Sequence, residues 1–253
     1  MVSVGQNILV VTVAVIGSIL FQAGLNKIWP WQKRRPYNEL IGSQLSILGT
    51  TYAVILGFML YTVWTAFGEA DLNADLEANA VLETYRLAQG LPQPQRTRLQ
   101  TLARSYADAV ITRDWPEMAR GEVPEQTRAI SAEMWDTVMS VREASATEVT
   151  AQQQVQSHLS SVDQHRLRRV LQSSTSLPPI LWWVLLAGGA LTIISACTFG
   201  AEHRKLQTFQ VISFSLLVSL SLVAIADIHR PFHGLVHVRN YAFLRAQQSM
   251  QAR

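Results

Sequence analysis

The chain has 253 residues, of which 49% are apolar and only 15% charged, against about 25% charge in an ordinary soluble domain. Its 39 charged residues avoid 1–26, 40–68, 170–201 and 206–226 altogether, and the remaining 145 positions carry them at a density of about 27%. Two unlike materials are joined in one chain, which argues against a secreted enzyme and against a plain cytosolic globule.

The charge-free windows come first. A helix crossing the roughly 30 Å hydrocarbon core of a bilayer needs about 20 apolar residues. Residues 7–25, 44–67, 178–200 and 207–228 each supply such a run. Strands of a membrane barrel would alternate apolar and polar side chains, and these runs do not. Trp29, Trp31, Trp182 and Trp183 stand at span ends, where an amphipathic ring suits the headgroup layer. Pro178 and Pro179 fit the first turn of a helix, with Ser176 as the expected cap. The first span lacks the basic flank and short apolar run of a cleavable signal. Cys197, the single cysteine, lies within the third span and reads as a small apolar filler.

The second span has nothing to stop it at the membrane surface. No Gly or Pro stands between Gly68 and Gly90, and the intervening text is rich in helix formers. One helix is therefore predicted over 43–89, leaving the bilayer near Glu69 and halted by Gly90, Pro92 and Pro94. Residues 69–177 form an insert with 15 Asp and Glu, 11 Arg and no Lys. A second helix is predicted over 94–114, with Leu99, Leu102, Ala103, Tyr106 and Val110 on one face. A turn is predicted over 115–124. Ile130, Met134, Val138 and Val141 mark a third helical region. A Gln- and Ser-rich stretch at 152–161 continues as helix through Val162, Leu167 and Val170 into the third span. The chain thus divides into spans one and two (1–68), a helical-bundle insert (69–177), spans three and four (178–228) and an interfacial tail (229–253).

Chemistry is hard to find. Glu69, Asp71, Asp75, Glu77 and Glu83 crowd one helix, but their spacing spreads them around it as a solvated acidic face. No His stands three residues on, as a di-metal bundle requires. No metalloprotease, phosphate-loop or nucleophile-elbow motif is present. His229, His233 and His237 fall four apart, but Pro231 and Gly234 interrupt the helix that would align them. They read as a membrane-exit turn. The loop with Lys33, Arg34 and Arg35 suits lipid phosphates or simple interfacial anchoring. The reading is of no enzyme, no cofactor, no metal and no nucleic-acid partner.

The text YAVILGFMLYTVWTAF, running into EADLNADLEANAVLETYRLAQGLPQPQR, together with the exit DIHRPFHGLVHV, resembles the bacterial bestrophin-like membrane proteins, distantly similar to the bestrophin channels. The match rests on the LGF of the second span, on Glu77 to Ala80 with Tyr85, on LPQPQR, and on the D-x-x-x-PF-x-G exit. It implies an all-α fold of two spans, an insert and two spans. It also implies a homo-oligomeric, pentameric ion channel lined by the second span. Carried onto this chain, the hydrophobic neck falls on Val54 and Phe58, and the same stripe extends to Thr50, Thr62 and Thr65. Where bestrophins have a basic and aromatic cluster after this span, this chain has Ala66, Phe67, Gly68 and Glu69. A ring of Glu69 would favour cations. The alternative is a non-conducting membrane-anchored sensor or scaffold, whose insert binds a partner. The expected partners are the lipid bilayer, further copies of the chain and permeant ions. Cations near the membrane number six on the short loops and seven on the insert side, a near tie by the positive-inside rule. Dominance of the first loop would put the insert outside, whereas the resemblance implies an inner-membrane protein with a cytoplasmic insert.

Overall fold

The computed structural model describes residues 4–142 and 145–252. The ends of the first and last predicted segments (1–3 and 253), and residues 143–144 of the insert, lie outside that description. Regular structure among the described residues is entirely helical: α1 (Val4–Ile28), α2 (Trp31–Arg34), α3 (Asn38–Leu87), α4 (Gln95–Ala109), α5 (Trp115–Arg120), α6 (Gln126–Met139), α7 (Ala146–Ser174), α8 (Pro179–Thr198), α9 (Arg204–Ile228) and α10 (Tyr241–Gln251). These make two compact units. One holds α1, α2, α3 as far as Thr65, α8 and α9. The other holds α3 from Ala66, then α4 to α7, and the chain from Arg230 onward, including α10.

In the first unit, α1, α3, α8 and α9 are each long and apolar enough to cross a membrane. Side chains such as Leu20, Phe58, Trp183 and Leu217 point outward, an arrangement that only lipid or another apolar surface tolerates. Inward contacts are close. The Tyr52 hydroxyl donates to the Leu185 carbonyl at 2.9 Å. Its ring fills a notch at Gly188 and Gly189, where an added Cβ would lie 2.6 Å from the ring and 2.9 Å from the hydroxyl respectively. Small residues here let a large ring cross close to the α8 backbone.

The far end of α8 is closed by side chains from the loop between α1 and α3. Arg34 is fully buried and donates to the Cys197 carbonyl at 2.8 Å and to Asn26 Oδ1. A guanidinium on the last carbonyls of a helix meets both orphan acceptors and the negative end of the helix dipole. Asn38 donates to the Gly200 carbonyl and accepts from the Gly200 N–H, each at 2.8 Å. Arg34 therefore leaves the predicted lipid-facing basic loop, in which only Lys33 and Arg35 remain exposed. Ser176 does not cap α8; the helix starts behind Pro178, with no side-chain cap.

The second unit has its own core. Leu99, Leu102, Ala103 and Tyr106 of α4 are buried as their spacing predicts, as are Met134 and Val138 of α6. Val155, Leu159 and Val162 carry the buried face of α7, which starts at a capping box between Ser145 and Glu148. Three boundaries differ from expectation. The predicted 94–114 helix ends at Ala109 in a π-turn, Val110–Asp114, and the predicted turn at 115–124 is largely α5. Pro116 sits in the first turn of α5, where its missing N–H costs nothing, and Gly121 at φ 81° ends it. The insert does not run unbroken into the third span: α7 stops at Ser174 and α8 starts at Pro179, since two prolines supply no donors. The residues after His229 are more than an interfacial tail. Phe232, Val238, Phe243, Ala246 and Met250 join the insert core. Trp115 makes edge contacts with Phe232 and Phe243, at 5.6 and 5.8 Å between centroids.

Candidate functional site

Helix α3 runs unbroken for 50 residues, about 75 Å at 1.5 Å per residue. All six residues expected to line a pore, Thr50, Val54, Phe58, Thr62, Thr65 and Glu69, are exposed on the single chain. At 3.6 residues per turn they fall within an arc of about 120°. Tyr52 and Val63, on the opposite side of the helix, are buried at 5% and 3% exposure. The helix thus has one committed face and one free face, and the six residues share the free one.

Ile47 and Tyr61 lie in the same arc and are also exposed, at 66% and 69%. A stripe drawn in steps of four misses them, because each such step drifts about 40° around an α-helix. Alternating steps of three and four would have included them. The Thr62 hydroxyl turns back onto the Phe58 carbonyl at 2.8 Å, so it keeps a partner where water is scarce.

In the insert, Glu77 is not part of a solvated acidic face. Its carboxylate oxygens accept from Arg169 Nε at 2.7 Å and Nη2 at 3.0 Å, and neither side chain is exposed. Arg169 Nη2 also donates to Asp114 Oδ2 at 2.9 Å. Thr127 donates to the same oxygen at 2.8 Å, and the Tyr106 hydroxyl donates to Glu77 Oε1 at 2.7 Å. The guanidinium lies 5.7 Å from the centre of the Trp115 ring. The π-turn widens the backbone at Val110–Asp114 and brings Asp114 into this cluster. Burial pulls the Arg169 guanidinium down, but the charge and hydrogen bonds of Glu77, with Tyr106 and Asp114, hold it above its ordinary value. Burial, and then Glu77, push the Tyr106 phenol well up, so it stays a donor. The cluster ties α3 to α4, the π-turn, α6 and α7 and fixes which side of α3 faces the insert core.

Asn73 holds His165 from two directions. Its amide donates to the His165 carbonyl at 2.8 Å, and its oxygen meets the His165 Nδ1 at 2.8 Å. Burial, and then the charge of Arg168, lower the imidazole from its ordinary value. The three C-terminal histidines follow the end of α9 at Ile228. His229 packs edge-on against Trp182 at 5.5 Å, and His237 Nδ1 meets the Gly234 carbonyl at 3.3 Å. Among the described residues no group of three or more His, Cys, Asp and Glu is placed to hold a metal.

The comparisons agree with this architecture. No curated protein matches the chain by sequence. Among solved structures, a point variant of a bacterial bestrophin homologue from Klebsiella pneumoniae matches with a TM-score of 0.72 and 16% identity, over 98% of this chain and 100% of its own. The Klebsiella pneumoniae homologue solved by zinc phasing matches with a TM-score of 0.73 and 15% identity, over 97% of each chain. A further membrane-protein variant gives 0.73 and 14%, over 97% of this chain and 98% of its own. These likenesses show the fold. The model of the bestrophin-like domain matches residues 12–243, nearly the whole chain, and the protein belongs to the bestrophin-like family.

Proposed function

We propose that the protein is a homo-oligomeric ion channel, pentameric as the bestrophin resemblance implies, whose pore is lined by α3. The observation that carries this reading is the free arc of α3, set against the packed face at Tyr52 and Val63. Copies arranged about an axis would turn that arc inward. Val54 and Phe58 would then form an apolar neck that gates by dewetting, with wettable threonine rings at Thr50, Thr62 and Thr65. A ring of Glu69 would follow and attract cations. The insert is assigned to the cytoplasmic side of the inner membrane, following the family resemblance. The charge count stays balanced, because Arg34 and Arg169 are both buried and each side loses one cation.

Imaging the purified oligomer tests the arrangement, and ion flux from liposomes tests the activity. Expected are a closed ring with α3 on the axis and flux that depends on the protein. A monodisperse oligomer with α3 at its periphery, or one whose liposomes remain ion-tight, overturns the proposal. Protease accessibility of the insert in inverted membrane vesicles tests the orientation, and protection there would reverse it.

A further inference from the structure

The segment that follows α9 is one-sided in charge. From residue 229 to the end it contains Arg230, Arg239, Arg245 and Arg253, and no Asp or Glu. Arg245 stands 3.8 Å from Asp75, but among the described residues no carboxylate forms an ion pair with Arg239. Its guanidinium lies 5.0 Å from the centre of the Tyr241 ring, a cation–π contact that limits its freedom. Beside it opens a cleft of about 320 Å³, at the small end of the roughly 300–1,000 Å³ typical of ligand sites.

The lining of that cleft is amphiphilic. Ile111, Trp115 and Phe232 give it apolar walls, and His237, Arg239 and Asn240 give it a polar rim. The Trp115 indole N–H is already committed to the Val238 carbonyl at 3.1 Å, so the ring offers the cleft only carbon. The same loop reaches outward with Leu235 and Val236, 46% and 42% exposed. They stand seven and eight residues beyond Ile228, where α9 ends, so they remain tethered to the membrane exit.

We infer that this cleft binds an anionic phospholipid. The phosphate takes the Arg239 guanidinium, which suits its planar, multiple-donor recognition, and His237 and Asn240 complete the rim. The first part of an acyl chain lies on Trp115 and Phe232. Leu235 and Val236 enter the interfacial layer beside it. An acid-free, arginine-bearing segment at a membrane exit is complementary to anionic headgroups, and the apolar wall separates a lipid from a free anion. This inference is independent of whether the protein conducts ions.

The test uses the full chain in detergent, with thermal unfolding followed against added dioctanoyl phosphatidylglycerol, dioctanoyl phosphatidylcholine and inorganic phosphate. Phosphatidylglycerol raises the midpoint saturably by several degrees, and the other two do not. Arg239→Gln weakens that binding by about tenfold or more, roughly 1.4 kcal/mol. Ala119→Trp, which keeps Arg239 and fills the cleft lined by Ala119, gives the same loss and decides the matter if Arg239→Gln fails to fold. Arg168→Gln, at an exposed arginine outside the cleft, leaves the response intact. An equal shift from phosphatidylcholine removes the headgroup recognition, and an equal shift from inorganic phosphate removes the lipid. A phosphatidylglycerol response unchanged in Ala119→Trp overturns the site.

Discussion

Arg169 and Glu77 stand 92 residues apart in sequence and form a two-point ion pair, 2.7 and 3.0 Å long, with no solvent exposure on either side. Two buried charges are tolerable only when the geometry and the surrounding hydrogen bonds are good. Here Tyr106, Thr127 and Asp114 supply those bonds. The pair holds α7 against the back of α3.

Removing one partner strands the other. Arg169→Met is expected to destabilise the protein by about 3–5 kcal/mol, the usual cost of breaking a buried pair from one side. The double variant Arg169→Met with Glu77→Gln should recover part of that loss, since only Asp114 then keeps a buried charge without its cation. Denaturant unfolding of the detergent-solubilised protein, read as a double-mutant cycle, measures the coupling. A purely additive result would remove the pair from the account of stability.

Phe58 carries the narrowest point of the proposed pore. Phe58→Ala replaces an exposed aromatic ring by a methyl group and disturbs no packed face. Single-channel conductance should rise several-fold while the oligomer keeps its size on gel filtration. An unchanged conductance places the constriction elsewhere on α3.

Glu69 is the first charge after the second span. Glu69→Gln should lower any preference for cations and move the reversal potential in a salt gradient toward zero. Screening shortens the reach of such a ring to about 10 Å at 0.1 M salt, so the wild-type preference should also weaken as ionic strength rises. A reversal potential indifferent to both changes excludes Glu69 from the ion path.

His165 gives the insert a pH response of known sign. Its imidazole is held below the ordinary value of about 6.5, so the folded chain binds the proton less readily than the unfolded chain. Stability contributed by the neutral ring is complete above about pH 6.5 and falls as the pH drops below that value. The loss ends once the pH is also below the folded value. Hydrogen exchange of the insert at pH 7.5 and 5.5 should show faster opening at the lower pH. The difference should shrink in His165→Asn.

The spans were plain in the sequence because each is an unmixed apolar run, and lipid imposes that composition without help from distant residues. The exposed arc of α3 that holds Thr50, Val54, Phe58, Thr62, Thr65 and Glu69 was legible in outline, because one helix fixes its own angular register. The buried cluster was not read, although a trace of it was present. Ala70, Ala74, Glu77 and Val81 follow steps of four, three and four, so the buried face of α3 runs through Glu77. Val155, Leu159, Val162 and Arg169 follow steps of four, three and seven, so the buried face of α7 reaches Arg169. An acid and a base, each on the apolar face of its own helix, are candidates for one another. Counting charges by segment hides that signal. The π-turn that delivers Asp114 has no comparable trace, because it depends on how α4 and α5 pack. The burial of Arg34 was hidden in the same way: its partners, Cys197 and Asn26, lie on other helices.

Helix α10 has a consequence for the order in which the protein can be made. The insert occupies 69–177, yet Phe243, Ala246 and Met250 belong to its core and leave the ribosome after it. Two membrane spans must be synthesised and inserted between those two events. Until then the faces of Trp115 and its neighbours that await α10 are open to water, and the half-built insert must be kept from sticking to others like it. Emergence of α10, and not emergence of the insert, is the moment at which this domain can finish folding.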